Sequence, residues 1–299
     1  MGYSRWDSVE TATLYATKIS ARSVQTQQEI FTHRTMVEAF NPANITMRES
    51  RDSEQNPLST PIIVGLDVTG SMGIIAEKMA RGELGKLMTG IFDSKPVTDP
   101  HVMVMAIGDA TCDQAPLQVS QFEADIRIDD SLQDLYLEGR GGGNSFESYD
   151  LPWYFAANRT ATDSYEKRGK KGYLFTIGDE LPPTATPYST HKMEYVFGPI
   201  QDASTYNSHV ALANAQEKYD VFHIVVEQGS YCSGRGRGEV LRAWSNLLNK
   251  RALPLDNWEH LSDLILAAIE VNEGADPVEV IARNQSETVR KTLHHAFGV

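Results

Sequence analysis

Cysteine is scarce in this chain, and a long apolar run is missing. The two cysteines among the 299 residues, Cys112 and Cys232, lie far apart and without the spacing of metal ligands. A reduced compartment suits such a pair better than a disulfide framework does. No apolar run approaches the roughly 20 residues that a membrane-spanning helix needs. Residues 1–10 also lack the basic and apolar regions of a secretory signal. We therefore expect a soluble, cytoplasmic protein without a membrane partner.

Basic residues are also fewer than acidic residues. The chain has 27 Lys and Arg residues against 40 Asp and Glu residues, which gives a formal net charge of −13. Binding to nucleic acid needs clustered basic residues that displace counterions from phosphates, so this balance argues against a nucleic-acid partner. Hydrophobic residues make up 41% of the chain. That content is enough for one large core of about 200 residues with accessory segments.

Short apolar runs alternate with helical patterns along the middle of the chain. Residues 61–66 form an apolar run without alternation, as expected of a strand that is buried on both faces. Further strands are predicted over 101–107, 172–177 and 221–226, with an edge segment within 117–128. Helices are predicted over 74–92, 129–137, 146–158, 208–219, 239–249 and 261–271. This alternation predicts a doubly wound α/β fold with a mostly parallel central sheet, helices on both faces and ligands at the carboxyl ends of the strands.

The flanking segments differ from this pattern. Residues 1–60 are rich in Ser, Thr, Gln and Arg, and they predict an N-terminal extension or docking arm. The α/β domain is expected over 61–272. Residues 273–299 predict a C-terminal tail, either an exposed helix or a partly disordered arm. Within the domain, four prolines make residues 181–200 too broken for one regular element.

An acid and two hydroxyls follow the first predicted strand. Asp67, Thr69 and Ser71 occupy alternating positions directly before the first predicted helix. Hard oxygen ligands of this kind suit Mg²⁺ better than Zn²⁺, which favours Cys and His. The N-terminus of the adjoining helix favours an anion, and so it would help to hold a metal-bound carboxylate. The alternative is a strand-to-helix turn in which Asp67 or Thr69 caps the helix.

The run from Asp67 to Ser71 resembles the Asp-x-Ser-x-Ser signature of the metal-ion-dependent adhesion site in von Willebrand factor A domains. Thr69 stands in place of the first serine and keeps its hydroxyl. In that family, further ligands come from a Thr preceded by glycines and from an Asp that ends a later central strand. The resemblance covers roughly residues 61–272 and implies the Rossmann-like fold of the family.

Two later loops correspond to these further ligands. In the glycine-rich loop 141–145, Asn144 stands at the position of the family's Thr, and Ser145 or Glu147 are the alternatives. In the other loop, Asp179 follows Gly178, which reverses the family's usual order of Asp and Gly. The resemblance implies a site for Mg²⁺, with Mn²⁺ or Ca²⁺ as alternatives. Its predicted ligands are Asp67, Thr69, Ser71, Asn144, Ser145 and Asp179.

The resemblance implies binding and no catalytic turnover. In such a site the metal leaves one position open, and an acidic side chain of a partner protein fills it. Stand-alone intracellular members are often paired with AAA+ ATPases or act as scaffolds in larger complexes. Arg235 and Arg237 lie in the loop 228–238 and are predicted to clamp an acidic partner surface, because guanidinium pairs bidentately with carboxylate. A flexible solvated loop is the alternative.

Two other functions compete with this interpretation. In a haloacid-dehalogenase-like phosphohydrolase, Asp67 would be the nucleophile beside Mg²⁺, and Asp179 would be the later magnesium-binding acid. Against it, Thr69 stands where that superfamily often has a second acid. The other alternative is a structural scaffold in a bacterial or phage-type assembly, where metal is incidental. A nucleotide-binding loop is disfavoured, because the glycine run 139–143 is not followed by Lys-Ser or Lys-Thr.

Overall fold

Two sheets organise the part of the chain that the computed structural model describes, namely residues 17, 31, 33–125, 127–138 and 146–298. The backbone alone is described for Arg81 and Arg235. The strands are β1 (Arg48–Ser50), β2 (Thr60–Asp67), β3 (Pro100–Ile107), β4 (Leu117–Val119), β5 (Thr160–Thr162), β6 (Gly172–Gly178), β7 (Tyr219–Val226) and β8 (Ala252–Leu255). The main sheet has the order β4-β3-β2-β6-β7-β8, and β1 pairs with β5. In the main sheet, the β3–β4 pair is antiparallel and the other pairs are parallel.

Helices connect the strands and cover both faces of the main sheet. They are α1 (Gly73–Lys78), α2 (Leu84–Ser94), α3 (Arg127–Gln133), α4 (Asp150–Asn158), α5 (Asp163–Arg168), α6 (Thr190–Phe197), α7 (Ser208–Lys218), α8 (Arg237–Leu248), α9 (Leu261–Asn272), α10 (Pro277–Arg283) and α11 (Glu287–Phe297). The π-helical segment Met79–Glu83 joins α1 to α2. Within the described residues, none of these helices has the length and apolar character needed to span a membrane.

The central strands are apolar on both faces, and this pattern explains their place between two helical layers. In β2, Ile62, Val64 and Leu66 face the layer formed by α1, α2, α3, α9, α10 and α11. Ile63 faces the opposite layer, formed by α4, α6, α7 and α8. All four side chains are fully buried. The predicted doubly wound, mostly parallel α/β fold with helices on both faces is therefore confirmed.

The C-terminal residues form helices that pack against the core, whereas the sequence predicted an exposed helix or a partly disordered arm. The Asp276 carboxylate caps α10 by accepting a hydrogen bond from the Val278 amide, and Ser286 caps α11 in the same way. Val289 and Leu293, four residues apart on α11, are fully buried. This spacing places both on one helix face, which covers the edge strand β8. The sequence did not predict β8, because its four residues are few and include a proline.

Part of the predicted N-terminal extension also belongs to the core. Phe31 and Phe40 are buried with the first helical layer, and β1 pairs with β5. The other residues of the extension before position 33 lie outside the described residues, apart from Thr17. Inside the domain, the segment 181–200 contains α6, whose first turn is capped by the Ser189 hydroxyl. Within the predicted edge segment 117–128, only the three residues of β4 form a strand. The helix predicted over 146–158 begins at Asp150 in the structure.

Gly172→Ala should destabilise the fold, because the first residue of β6 lies close to β2. A Cβ at position 172 would lie 2.5 Å from the carbonyl oxygen of Pro61, which is closer than packed atoms tolerate. We expect a loss of about 1–3 kcal/mol in the free energy of unfolding, measured by urea denaturation. Gly82→Ala is the matched control, since a Cβ there would meet no atom within 4 Å beyond its chain neighbours and its own helix backbone. A control variant as unstable as Gly172→Ala would contradict this account.

Candidate functional site

The carboxyl ends of β2 and β6 bring two aspartates to one edge of the main sheet. Asp67 is the last residue of β2, and Asp179 directly follows β6. The strands pair in parallel, with Leu66 opposite Ile177. Both aspartate side chains are fully buried. Buried carboxylates that lie close together oppose each other's ionisation unless donors or a cation surround them.

The loop between β2 and α1 supplies hydroxyl groups to both carboxylates. The amide and hydroxyl of Thr69 donate to Asp67 Oδ1 at 2.9 and 2.6 Å. The Ser71 hydroxyl donates to Asp179 Oδ1 at 2.6 Å and lies 3.2 Å from the Thr69 hydroxyl. Gly73 then begins α1 with φ +49°, a left-handed value that glycine adopts without strain. Asp67, Thr69, Ser71 and Asp179 thus form one hydrogen-bonded set, which we call the oxygen row.

Tyr149 completes the surroundings of Asp67, although no sequence motif marks it. The Tyr149 phenol is fully buried and donates to Asp67 Oδ2 at 2.7 Å. The amide of Glu180 donates to the same phenol oxygen at 3.3 Å. A Cβ on Gly178 would clash with this oxygen, so the close approach requires glycine at the end of β6. Both oxygens of Asp67 are therefore held by hydrogen bonds from different parts of the chain.

An aromatic cluster supports Tyr149 on the side of α8. Its ring makes edge contacts with His223 and Trp244, at centroid distances of 4.8 and 5.5 Å. Trp244 stacks on His223 at 3.5 Å, and its indole N–H donates to the Glu180 carbonyl at 2.9 Å. Burial lowers the pKa of His223 well below its ordinary value. The ring is therefore neutral and supplies no counter-charge to the aspartates.

Two further buried acids face the oxygen row. Glu147 is 1% exposed and Glu180 is 6% exposed. Among the described residues, neither Glu147 Oε2 nor Glu180 Oε2 has a hydrogen-bond partner. Burial, together with the charge of Asp67, raises the pKa of Glu147 and raises that of Glu180 to about 8. Burial and repulsion from Asp179 raise the pKa of Asp67 as well. Each of these groups would be stabilised as an anion if a cation joined the site.

The chemistry of the oxygen row fits a hard divalent cation. Two carboxylates and two hydroxyls present only oxygen, the ligand atom that Mg²⁺ prefers. Across the described ranges, no group of three or more His, Cys, Asp or Glu side chains is arranged to hold a metal ion. A metal at this edge would therefore depend on the hydroxyls of Thr69 and Ser71 as well as on Asp67 and Asp179.

The structure describes only the last part of the glycine-rich loop that was predicted to supply ligands. Asn144 and Ser145 lie outside the described residues, so their assignment as ligands stays a prediction. Glu147 is described, and it lies beside the oxygen row. Phe146 forms a parallel bridge with Leu181, so this part of the loop runs along the segment that follows Asp179. The structure therefore places one of the three alternatives, Glu147, at the candidate site.

The loop after β7 contacts Ser71 and Asp179 at one end of the oxygen row. The amide and hydroxyl of Ser230 each donate to the Ser71 carbonyl at 2.9 Å. The amide of Tyr231 donates to Asp179 Oδ2 at 2.8 Å. A Cβ on Gly229 would overlap the Asp179 side chain, which shows how closely this loop follows the carboxylate. This loop is part of the site, and its contacts do not fit a freely solvated segment.

The two predicted partner-binding arginines lie at the end of this loop. Arg237 begins α8, and its Nε donates to the Glu227 carboxylate at 2.7 Å. Because the Arg237 side chain is 58% exposed, we expect this pair to contribute only about 0–1 kcal/mol. The backbone of Arg235 lies in the segment Cys232–Gly236, which is kinked at Gly234, and the structure does not describe its side chain. A role of either arginine in partner binding stays a prediction.

A second Asp-x-Thr turn follows the neighbouring strand β3. The amide and hydroxyl of Thr111 donate to Asp109 Oδ1, both at 2.7 Å. Thr69 makes the same pair of contacts with Asp67. Position 113, however, holds an Asp, which accepts a hydrogen bond from the Asp109 amide at 2.8 Å. The repeated spacing of Asp and Thr was visible in the sequence, but the residue equivalent to Ser71 is an acid here.

Comparisons with known proteins identify a distant structural likeness and no family. No protein-family model matches the chain, and no curated protein matches it either. Among solved structures, the open conformation of the pilus adhesin SpaC from Lactobacillus rhamnosus GG has a TM-score of 0.47 and 12% identity over 74% of this chain. A second structure of SpaC has a TM-score of 0.43 and 11% identity over 74% of this chain. The chain spans 31% and 32% of those adhesin chains. This likeness is too distant to transfer a function.

The raised pKa of Glu180 predicts that the metal-free protein loses stability as the pH rises towards 8. Between its ordinary pKa of 4.5 and about 8, the folded chain keeps a proton on Glu180 that the unfolded chain releases. Raising the pH through this window therefore favours unfolding. We expect the urea midpoint in EDTA to fall between pH 6.5 and 8, and to fall less in Glu180→Gln. An equal fall in both proteins would contradict the assignment.

Proposed function

We propose that this chain is a divalent-metal-dependent protein-binding module of the von Willebrand factor A type, which captures an acidic side chain of a partner protein. The observation that carries the proposal is the oxygen row at the carboxyl ends of β2 and β6. It joins the predicted ligands Asp67, Thr69, Ser71 and Asp179 by hydrogen bonds. Ligand sites of open α/β sheets occupy this edge.

The four residues of the oxygen row would hold Mg²⁺, with Mn²⁺ or Ca²⁺ as alternatives. When bound, the cation supplies a positive charge that attracts a carboxylate from outside the chain. The chain itself orients the donors. The Tyr149 phenol donates a hydrogen bond to Asp67 Oδ2, and the Tyr231 amide donates one to Asp179 Oδ2. Gly70 and Gly73 are exposed and Ser71 is partly exposed, so a partner can approach the row near Ser71.

Binding is favoured over phosphoryl transfer by the environment of Asp67. A nucleophilic aspartate needs a free carboxylate oxygen directed at the substrate. Asp67 is fully buried, and Thr69 and Tyr149 donate hydrogen bonds to its two oxygens. The buried carboxylate thus has no open path to a phosphate ester, whereas a lone pair that remains on its oxygens can still bind a small cation, which supports a ligand role over the haloacid-dehalogenase-like alternative. A scaffold with incidental metal is the remaining alternative, and the metal dependence of partner binding distinguishes it.

The partner and its cellular setting follow from the resemblance alone. We propose a cytoplasmic assembly of bacterial or phage type in which another protein offers the carboxylate. An AAA+ ATPase is one candidate for that protein. Arg235 and Arg237 are candidates for additional contacts with its acidic surface, because they follow the loop that binds Ser71 and Asp179.

Asp67→Asn should remove most of the divalent metal affinity without unfolding the chain. The amide is isosteric with the carboxylate, so the packing of β2 is kept while one negative ligand is lost. In titrations of Mg²⁺ and Mn²⁺ into metal-stripped protein, we expect at least a roughly 100-fold loss of affinity, a change of about 2.7 kcal/mol. The wild-type chain loaded with Mg²⁺ should show no phosphatase activity on a generic phosphate ester.

The matched control is Asp109→Asn, which changes the equivalent Asp-x-Thr turn after β3. We expect it to lower the metal affinity less than about 10-fold, because Asp109 would act only through its charge. Equal losses in both variants would contradict the assignment of Asp67 as a ligand. Failure of the wild-type chain to bind metal would support the scaffold, and phosphatase turnover would support the enzyme.

Tyr149→Phe should weaken metal binding, since Asp67 Oδ2 then loses its hydrogen-bond donor. Loss of a group that orients a metal ligand typically costs 10- to 100-fold in affinity, and we expect about 10-fold. Tyr219→Phe is the control, because its phenol is equally buried and bonds to Thr160 at the opposite end of the sheet. Both variants should lose some thermal stability. A loss of metal affinity in Tyr219→Phe alone, or in both, would contradict the positioning role.

A further inference from the structure

A strip of exposed side chains runs from the oxygen row along α1. Ile74 is the third residue after Ser71, and it is 64% exposed, the largest value among the exposed large apolar side chains described. Its Cα lies within about 11 Å of the Cα of Ser71, the span of three extended residues. Lys78 follows one helical turn later and is also exposed, so the two side chains share one helix face.

The strip continues from Lys78 to the loop after β7. The Lys78 ammonium lies 5.6 Å above the ring centroid of Trp258, a partly buried residue that packs on the core. The side chain of Gln228 accepts a hydrogen bond from the Trp258 amide at 2.9 Å. Ile74, Lys78, Trp258 and Gln228 therefore form one surface beside the oxygen row, which we call the α1 strip.

Packing within the chain does not account for Ile74 in this position. The neighbouring apolar residues Met72 and Ala76 are buried and anchor the start of the helix to the core. The Ile74 side chain, in contrast, is mostly exposed. At an exposed helix position, Ile is a poorer helix former than Ala, Lys, Arg or Glu. Val278, another exposed apolar side chain, lies on α10, outside the loops that form the candidate site. An apolar side chain of a partner would bury the exposed Ile74 side chain.

Charge further restricts the partner. The chain carries a net charge of −13, so an acidic segment approaches against a general repulsion. Local positive charge must overcome it, and the α1 strip offers Lys78 beside the cation proposed above. An apolar side chain packed on Ile74 would also exclude water from the neighbouring ionic contact. Exclusion of water lowers the local dielectric and strengthens that contact.

We propose that the α1 strip recognises a protein segment in which the metal-binding acid stands next to a large apolar residue. The apolar residue packs on Ile74, and a second acid beyond it pairs with Lys78. This inference rests on the proposed metal-dependent function and names the kind of partner that the site selects.

The test uses four synthetic peptides and the full chain in Mg²⁺. The peptides are acetylated and C-terminally amidated Gly-Gly-Asp-Leu-Glu-Gly, its Asp-Ser-Glu and Asp-Leu-Gln analogues, and an Asn-Leu-Glu analogue that lacks the metal-binding acid; amidation removes the terminal carboxylate that could replace it. Ligand-observed NMR at millimolar peptide measures each dissociation constant, and Mg²⁺ affinity is measured separately. We expect the Asp-Leu-Glu peptide to bind about 5- to 10-fold more tightly than the Asp-Ser-Glu and Asp-Leu-Gln peptides, and the Asn peptide not to bind.

Variants of the chain then assign these preferences to the strip. Ile74→Ser should remove the preference for Leu over Ser, and Lys78→Ser should remove the preference for Glu over Gln. Both variants should bind Mg²⁺ as the wild type does. Val278→Ser is the control, because Val278 is 58% exposed on α10 and should change neither preference.

The outcomes separate this inference from the proposed function. Metal-dependent binding of all three Asp peptides with equal affinity would overturn the α1 strip and leave the metal-dependent function intact. Failure of every Asp peptide to bind a chain that is loaded with Mg²⁺ would overturn both. Self-association of the chain in Mg²⁺ that is lost in Ile74→Ser would identify a second copy as the occupant, and it would overturn the proposed peptide-like partner.

Discussion

The burial of Asp67 and Asp179 beside each other is the constraint on which the candidate site depends. Paired parallel strands place these two acids at one sheet edge, where neither can reach bulk water. The surrounding chain responds by directing donors at them. Thr69 and Tyr149 hold Asp67, while Ser71 and the Tyr231 amide hold Asp179. These donors come from three separate segments, so the aspartates determine how the loops at this edge are arranged.

The fold was predictable wherever one local pattern determines the structure. An apolar run without alternation requires burial on both faces, and so the pattern around Ile62–Leu66 predicted a central strand. Val289 and Leu293 had the spacing of an amphipathic helix, but spacing does not reveal whether a helix finds a surface to cover. That surface includes β8, which is too short to predict. The packing of the C-terminal helices therefore depended on an element that the sequence pattern does not show.

The candidate site also contains residues that the sequence predicted and residues that it did not. Asp67, Thr69, Ser71 and Asp179 were predictable because strand ends and residue spacing bring them to one edge. Tyr149 was not predictable, since its contact with Asp67 requires the segment before α4 to pack against the end of β6. The burial of Glu180 also depends on that packing. Sequence spacing predicts ligands that share a sheet edge, whereas groups that support them from another layer become apparent only in the folded chain.

The close approach of Tyr149 to Gly178 has a consequence for how this protein can vary. A side chain at position 178 and a phenol at position 149 exclude each other in space, so Gly178 cannot change while Tyr149 is kept. Homologues that retain the tyrosine must retain the glycine, whereas homologues that lose the tyrosine are released from that restriction. The Tyr149–Gly178 pair is therefore a signature by which distant relatives with the same site architecture can be recognised among proteins that share the common fold.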